Sequence, residues 1–202
     1  QYALEGSVFM GGALIQWLRD ELQIIDNAKD TEPIATSIDN CEGVTIVPAF
    51  TGLGAPYWKS DARGTILGLT RGAGRPQIVR AALEAIAYQV SDLLQACADD
   101  AGLTITSLNV DGGASANKFL MQFQADILQC EIHRPENVET TALGTAYLAG
   151  LYSGFWKSTD EILNLCNKTN VFRPQQTAKY AEAHLRNWQT AVATALYRAE
   201  LD

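Results

Sequence analysis

An α/β fold is the class this sequence predicts, and three observations carry the prediction. Short apolar or β-branched runs at 44–50, 64–69, 108–110 and 131–135 alternate with stretches whose apolar residues recur every three or four positions. The longest of those stretches, 76–98, is too long to be anything but a helix. A glycine pair, Gly112-Gly113, stands between a strand-like run and a helical one, as the turns of α/β units require. No internal repeat, low-complexity tract or long linker interrupts the 202 residues, so one unit is expected.

Taken in order, Gln1-Tyr2-Ala3-Leu4 reads as the inside of a strand, with no initiator Met and no lead-in. The expectation is a fragment of a larger protein, beginning after the first strands of its sheet. Phe9, Ala13, Ile15, Trp17, Leu18, Leu22 and Ile25 then mark a helix with Gly11-Gly12 near its start. Each helical glycine costs roughly 1 kcal/mol relative to alanine. Another helix or a ligand should therefore approach the backbone there, and both readings stay open. Residues 30–37 form a second short helix, capped by Asp30 or Thr31, with Pro33 in its first turn.

The β-branched run 44–50 is a strand that ends, or lies at an edge, at Pro48. The loop 51–58 holds two large aromatics and reads as a surface loop pinned by a buried Trp. Residues 64–69 are a further strand. The long helix carries Val79, Ala82, Leu83, Ile86, Val90, Leu93, Leu94 and Cys97 on its apolar face. Glu84, among small residues, reads first as a solvated or capping carboxylate.

Leu108-Asn109-Val110 reads as the end of a buried strand, and Leu120, Phe123 and Ile127 as the face of the helix that follows. Between them lies Asp111-Gly112-Gly113-Ala114-Ser115-Ala116-Asn117. Glycine lets a ligand approach the main chain, and a helix start offers free N–H groups to an anion. A tight turn with Ser115 as the cap explains the same residues. Glu131–Pro135 is a short strand. Thr140-Thr141 caps a helix over 142–149 whose small residues predict close packing. A short helix over 160–167, an extended connector at 172–174, and a final helix marked by Tyr180, Ala183, Leu185, Trp188, Val192 and Leu196 complete the chain.

Composition narrows the function. Hydrophobic residues make up 47% and charged residues 19%, which suits a soluble chain with a large core. The net charge of -8 argues against non-specific binding to nucleic acid or to an anionic membrane. No apolar run reaches the ~18 residues that would span a bilayer, and no secretory pattern opens the chain. The four cysteines form no CxxC pair and read as reduced, cytoplasmic core thiols. The two histidines stand in no metal spacing, and His133 reads as a strand-surface residue. The P-loop, the dinucleotide fingerprint and the nucleophile elbow are all missing from the sequence. Nothing in it stands out as a catalytic base or nucleophile.

Several separate stretches together resemble the FGGY carbohydrate kinase family. They are Tyr2-Ala3-Leu4-Glu5-Gly6-Ser7-Val8-Phe9 with Ile15-Gln16-Trp17-Leu18-Arg19-Asp20; Val47-Pro48-Ala49-Phe50-Thr51-Gly52-Leu53-Gly54-Ala55-Pro56-Tyr57-Trp58 with Ala62-Arg63-Gly64; 64–69 with Gln77-Ile78 and Ala81-Ala82-Leu83-Glu84; 111–124; and 140–150. The resemblance implies the second, C-terminal half of the sugar-kinase fold over residues 1–202. That is a ribonuclease-H-like, actin-like ATPase domain with a mixed sheet flanked by helices, lacking its first strands. It implies ATP or ADP with Mg²⁺ as the ligand. Gly12, Gln16, Gly113 and Asn117 match the family's nucleotide contacts; Gly112 neighbours them, and Ile15 and Ala28 line the adenine pocket. The wording of 48–58 and 111–124 favours glycerol as the phosphoryl acceptor over a pentulose or another polyol. A non-enzymatic, actin- or Hsp70-like assembly module is the rival from another class. The family's general base, its alcohol site and a phosphate-binding hairpin precede the position of Gln1, so this stretch alone should be inactive and prone to self-association. The resemblance further implies a homo-oligomeric parent.

Overall fold

The computed structural model describes residues 3–165 and 169–200. Its axis is the helix α3 (Arg75–Ala101), which starts with Pro76 in its first turn and stops at left-handed Gly102. Residues 79–88 of α3 are buried without a break. Ten buried residues in a row take in every face of the helix, so neighbours must surround it. It is packed by α1 (Gly12–Asp20), α2 (Thr31–Thr36), the strand β1 (Thr45–Val47) and α4 (Lys118–Leu128).

β1 pairs antiparallel with β2 (Thr65–Leu67), Ile46 facing Ile66. A second sheet is mixed. β3 (Ser107–Asn109) runs parallel to β4 (Glu131–Pro135), and β4 runs antiparallel to β5 (Thr169–Phe172). α4 makes the crossover between β3 and β4. Two helices, α5 (Thr140–Ser153) and α6 (Thr159–Leu165), lie between β4 and β5. The last helix, α7 (Ala178–Ala199), closes the core by laying Trp188, Ala191, Val192 and Ala195 against it. Trp188 stacks on Tyr88 of α3 with ring centroids 5.3 Å apart.

Several expectations are corrected. Ala3 and Leu4 are exposed and outside any strand, while Gln1 and Tyr2 lie outside the described residues. The first helix spans only Gly12–Asp20, because Gln23 takes a left-handed conformation that sends Leu22 and Ile25 off the helical path. In the loop 51–58 the pin is Tyr57, not Trp58. The Tyr57 hydroxyl donates to Asp92 Oδ2 at 2.8 Å, whereas Trp58 is 75% exposed. β3 is exposed on both sides of a half-buried Leu108, so it is no buried strand. The connector at 172–174 hides the end of a strand: β5 pairs along β4 from Thr169 to Phe172. Helix α5 begins at Thr140 without a side-chain cap, and among the described residues it buries only Gly150, so the close packing expected of it is missing. The short helix expected at 160–167 spans Thr159–Leu165; Cys166 and Asn167 lie outside the described residues.

Candidate functional site

A cavity of about 580 Å³ opens where α1, α2, α3 and α4 converge. Its floor is apolar: Ile15 of α1, Leu83 and Ile86 of α3, and Leu120 of α4. Helical spacing puts Leu83 and Ile86 on one face of α3, which is why both reach the same cavity. Gly12, Gln16 and Arg19 form one rim. Ala28 and Lys29, in a tight 3₁₀ turn, form the next with Thr31, Glu32 and Pro33. Gly113, Ala114, Ala116 and Asn117 close the ring. A β-carbon built on Gly12 or Gly113 meets no atom within 4 Å, so both glycines border open space and pack against no helix. That decides between the two readings left open for Gly11-Gly12 as far as packing goes. Six of the seven candidate residues, Gly12, Ile15, Gln16, Ala28, Gly113 and Asn117, therefore line one cavity although Gly12 and Asn117 lie 105 positions apart. Gly112 stands one step behind it.

The turn that carries Gly113 is firmly held. Gly112 has φ +76°, a conformation that strains any residue with a β-carbon. Its N–H donates to Val138 O at 2.9 Å, and the Ser115 hydroxyl donates back to Gly112 O at 2.7 Å. Arg134 of β4 donates to the carbonyls of Ser115 and Ala116 at 2.9 and 3.2 Å. The Thr140 hydroxyl bonds Asp111 Oδ2. Residues 113–116 make a 3₁₀ turn, and α4 starts only at Lys118, so the cap is Asn117 rather than Ser115. Asn117 Oδ1 accepts from Leu120 N at 3.0 Å. Glu32 Oε2 accepts from Lys118 N at 2.7 Å. Two of the first amides of α4, those of Lys118 and Leu120, are thus already engaged by protein groups.

Beneath the floor lies a buried ion pair. Arg80 Nε donates to Glu84 Oε1 at 2.9 Å. Arg80 also donates to the carbonyls of Ala35, at 3.2 Å, and Ile38, so it ties the end of α2 to α3. Its guanidinium lies 4.9 Å from the centre of the Phe119 ring. Glu84 is 5% exposed, which corrects the reading of a solvated carboxylate. Burial pushes its carboxyl above the ordinary 4.5, and the bond from Arg80 only partly offsets that. Burial likewise raises the Cys41 thiol and the Tyr88 hydroxyl, and it lowers His184, whose ring bonds Tyr88 at 2.8 Å. Sequence reasoning missed Thr31, Arg19 and Lys29 as site residues, and Arg80 as a buried support of the site. For Arg80 a signal existed: an Arg and a Glu one turn apart on the apolar side of a helix are placed to pair with each other.

An apolar slot of this size, edged by amide and cationic groups, suits a flat heteroaromatic ring with a polar, anionic tail. Among the described residues no three His, Cys, Asp or Glu side chains converge to hold a metal ion.

Fold and cleft together define an actin-like α/β domain of the sugar-kinase class. A xylulose kinase from Brucella ovis shares the fold at TM-score 0.74 over 95% of this chain and 39% of its own, with 23% identity. The chain belongs to the FGGY family of carbohydrate kinases, for the profile of that family's C-terminal domain matches residues 1–152. Its relatives include the glycerol kinase of Shewanella halifaxensis, 57% identical over 95% of this chain and 39% of the relative's length. That of Caldanaerobacter subterraneus is 56% identical over 99% of this chain and 40% of the relative's length. Among solved structures, Plasmodium falciparum glycerol kinase with ADP superposes at TM-score 0.83 with 37% identity, covering 92% of this chain and 37% of that one. The chain thus spans about two fifths of the length of these relatives.

Proposed function

We propose that this chain is the nucleotide side of a glycerol kinase, which transfers the γ-phosphate of ATP to glycerol to give sn-glycerol 3-phosphate. The observation that carries the reading is the cavity itself. It gathers Gly12, Ile15, Gln16, Ala28, Gly113 and Asn117, two of them glycines that face open space. The ADP-bound structure of the Plasmodium relative supports a nucleotide as the occupant, and the curated relatives support glycerol as the acceptor. Adenine would sit over Ile15, Leu83 and Leu120, with Gly112 and Gly113 keeping side chains away from its tail.

Among the described residues Glu32 is the single carboxylate of the lining, and it is committed to the Lys118 amide. The general base and the alcohol site would come from residues outside this chain, so the chain alone is expected to turn over no ATP. Phosphoryl transfer relies on positioning and on neutralising phosphate charge. Mg²⁺ would bridge the phosphate oxygens of the bound nucleotide and neutralise their charge. The proposed compartment is the cytoplasm, where ATP is found and where the free thiols Cys41, Cys97 and Cys130 stay reduced.

Calorimetric titration of the chain with Mg·ADP, beside G113V, tests the reading. We expect a dissociation constant on the order of 0.1–1 mM for the native chain, because one side of the cleft supplies all the contacts. The G113V variant should fold, since its side chain enters open space, and should lose binding. A folded native chain that binds no ADP, or a variant that binds equally well, overturns the assignment.

A further inference from the structure

We infer that Thr31 is a positioning residue of the nucleotide cleft: its hydroxyl fixes which way the Asn117 carboxamide faces. The inference rests on the nucleotide reading above. Thr31 is 1% exposed, yet it lines the cavity wall between Ala28 and Asn117. Its hydroxyl is used in both senses. It donates to Ala28 O at 2.6 Å and accepts from Asn117 Nδ2 at 3.0 Å. At the other end of the same carboxamide, Oδ1 accepts from Leu120 N.

These two bonds set the amide uniquely. A flipped amide would point Nδ2 at the Leu120 N–H, donor against donor, and would leave the Thr31 hydroxyl without its donor. An amide nitrogen carries two N–H groups. Thr31 takes one, which leaves the other for an acceptor on a nucleoside diphosphate in the cavity that Asn117 lines. Through Ala28 O the same hydroxyl also ties the 3₁₀ turn to the start of α4, so one atom holds two walls in register. A second tie, Glu32 to the Lys118 amide, holds α2 against α4 independently. Removing the Thr31 hydroxyl therefore frees the carboxamide without releasing the helix.

The test is calorimetric titration of the 202-residue chain with Mg·ADP for native, T31V and T31S forms, each with a thermal melt. Valine keeps the shape and β-branching but has no hydroxyl; serine keeps the hydroxyl. We expect T31V to weaken ADP binding about tenfold, the worth of one buried hydrogen bond to a ligand-contacting group. T31S should bind within about twofold of native. A role in stability alone would lower the T31V melting temperature and leave the affinity of the folded chain unchanged, which overturns the inference. Should T31V not fold, T31S and T31A differ by the hydroxyl alone, and equal ADP affinity in that pair overturns it as well. A native chain that is folded and binds no ADP defeats the nucleotide reading, and the inference falls with it. Native binding that T31V retains defeats the inference only.

Discussion

Helices α4 and α5 start close together, at the two sides of the Asp111–Thr140 bond, and end in opposite surroundings. Each follows a turn near the central glycine pair, and each mixes apolar with small residues. α4 buries Leu120, Met121, Phe123, Gln124, Ala125, Asp126 and Ile127. α5 buries Gly150 alone, and its Leu148 and Tyr152 are 71% and 97% exposed. α4 has one apolar side, and α3 and α7 lie against it. The apolar residues of α5 are spread around the helix, and apart from the bond of Thr140 to Asp111 the contacts described for it are local: Trp156 packs on Gly150 and meets Tyr147 edge-on at 5.3 Å. A helix apolar all round is suited to being enclosed, yet composition supplies no neighbour. The cleft sits entirely on the enclosed side of the molecule, which is where rigid floor residues such as Leu83 and Leu120 can hold a ligand-shaped space.

The sharpest way to break this contrast is Trp188→Ala. The indole is 1% exposed, stacks on Tyr88, and donates to Asp92 Oδ2 at 2.6 Å. Removing it leaves a large cavity under α3 and α7 and strips Asp92 of a donor. The expected cost is about 4–5 kcal/mol, read from denaturant unfolding. A cost below about 1 kcal/mol would mean that α7 is no part of the enclosed side.

Arg80→Met comes next, at about 3 kcal/mol near neutral pH, because it leaves Glu84 buried without its partner. The pH dependence sharpens the prediction. Glu84 has a raised pKa in the folded state, so the native fold holds that proton more tightly than the unfolded chain does. Stability is therefore greatest below the ordinary 4.5 and falls as pH rises through the raised folded value. Asp92, raised by its own burial, adds to the same slope. His184 opposes it, because its lowered pKa gives stability that rises toward 6.5. Without Arg80 the Glu84 value moves further up, and the variant's deficit should be larger at pH 8 than at pH 5. Urea midpoints at the two pH values check this; an equal deficit at both would remove Glu84 from the account.

What the sequence made legible follows the same divide. The enclosed helices announced themselves by spacing: Leu83 and Ile86, or Leu120, Phe123 and Ile127, repeat every three or four residues and are all buried. The sequence expects something to approach the two glycine pairs, and in the structure Gly12 and Gly113 border open space in the cavity that Gln16 and Asn117 also line, the set that the resemblance joins. Periodicity was silent on polar residues held by tertiary partners. Nothing local marks Thr31 as buried, because its partner Asn117 lies 86 positions away. Nothing local distinguishes Tyr57 from Trp58 as the loop's anchor, because the choice is made by Asp92 on α3. β5 escaped notice because its pairing with β4 spans a helical insertion, and its own residues, Thr169–Phe172, carry too little alternation to signal a strand.

The smallest expected effect separates the two helices most directly, because one chemical change serves both. Leu120→Ala should cost about 2–5 kcal/mol, since the side chain is fully enclosed and its loss opens a cavity. Leu148→Ala should stay within about 0.5 kcal/mol, since most of that side chain already faces solvent. Denaturant unfolding at two protein concentrations measures both. If L148A costs more than about 1 kcal/mol, and the cost grows with concentration, then copies of the chain bury the α5 face against each other. That would be the self-association the sequence leads one to expect. A small cost that does not change with concentration keeps α5 on the open side of the molecule. Its apolar residues then add nothing to the folding of this chain, while those of α4 hold up the floor of the cleft.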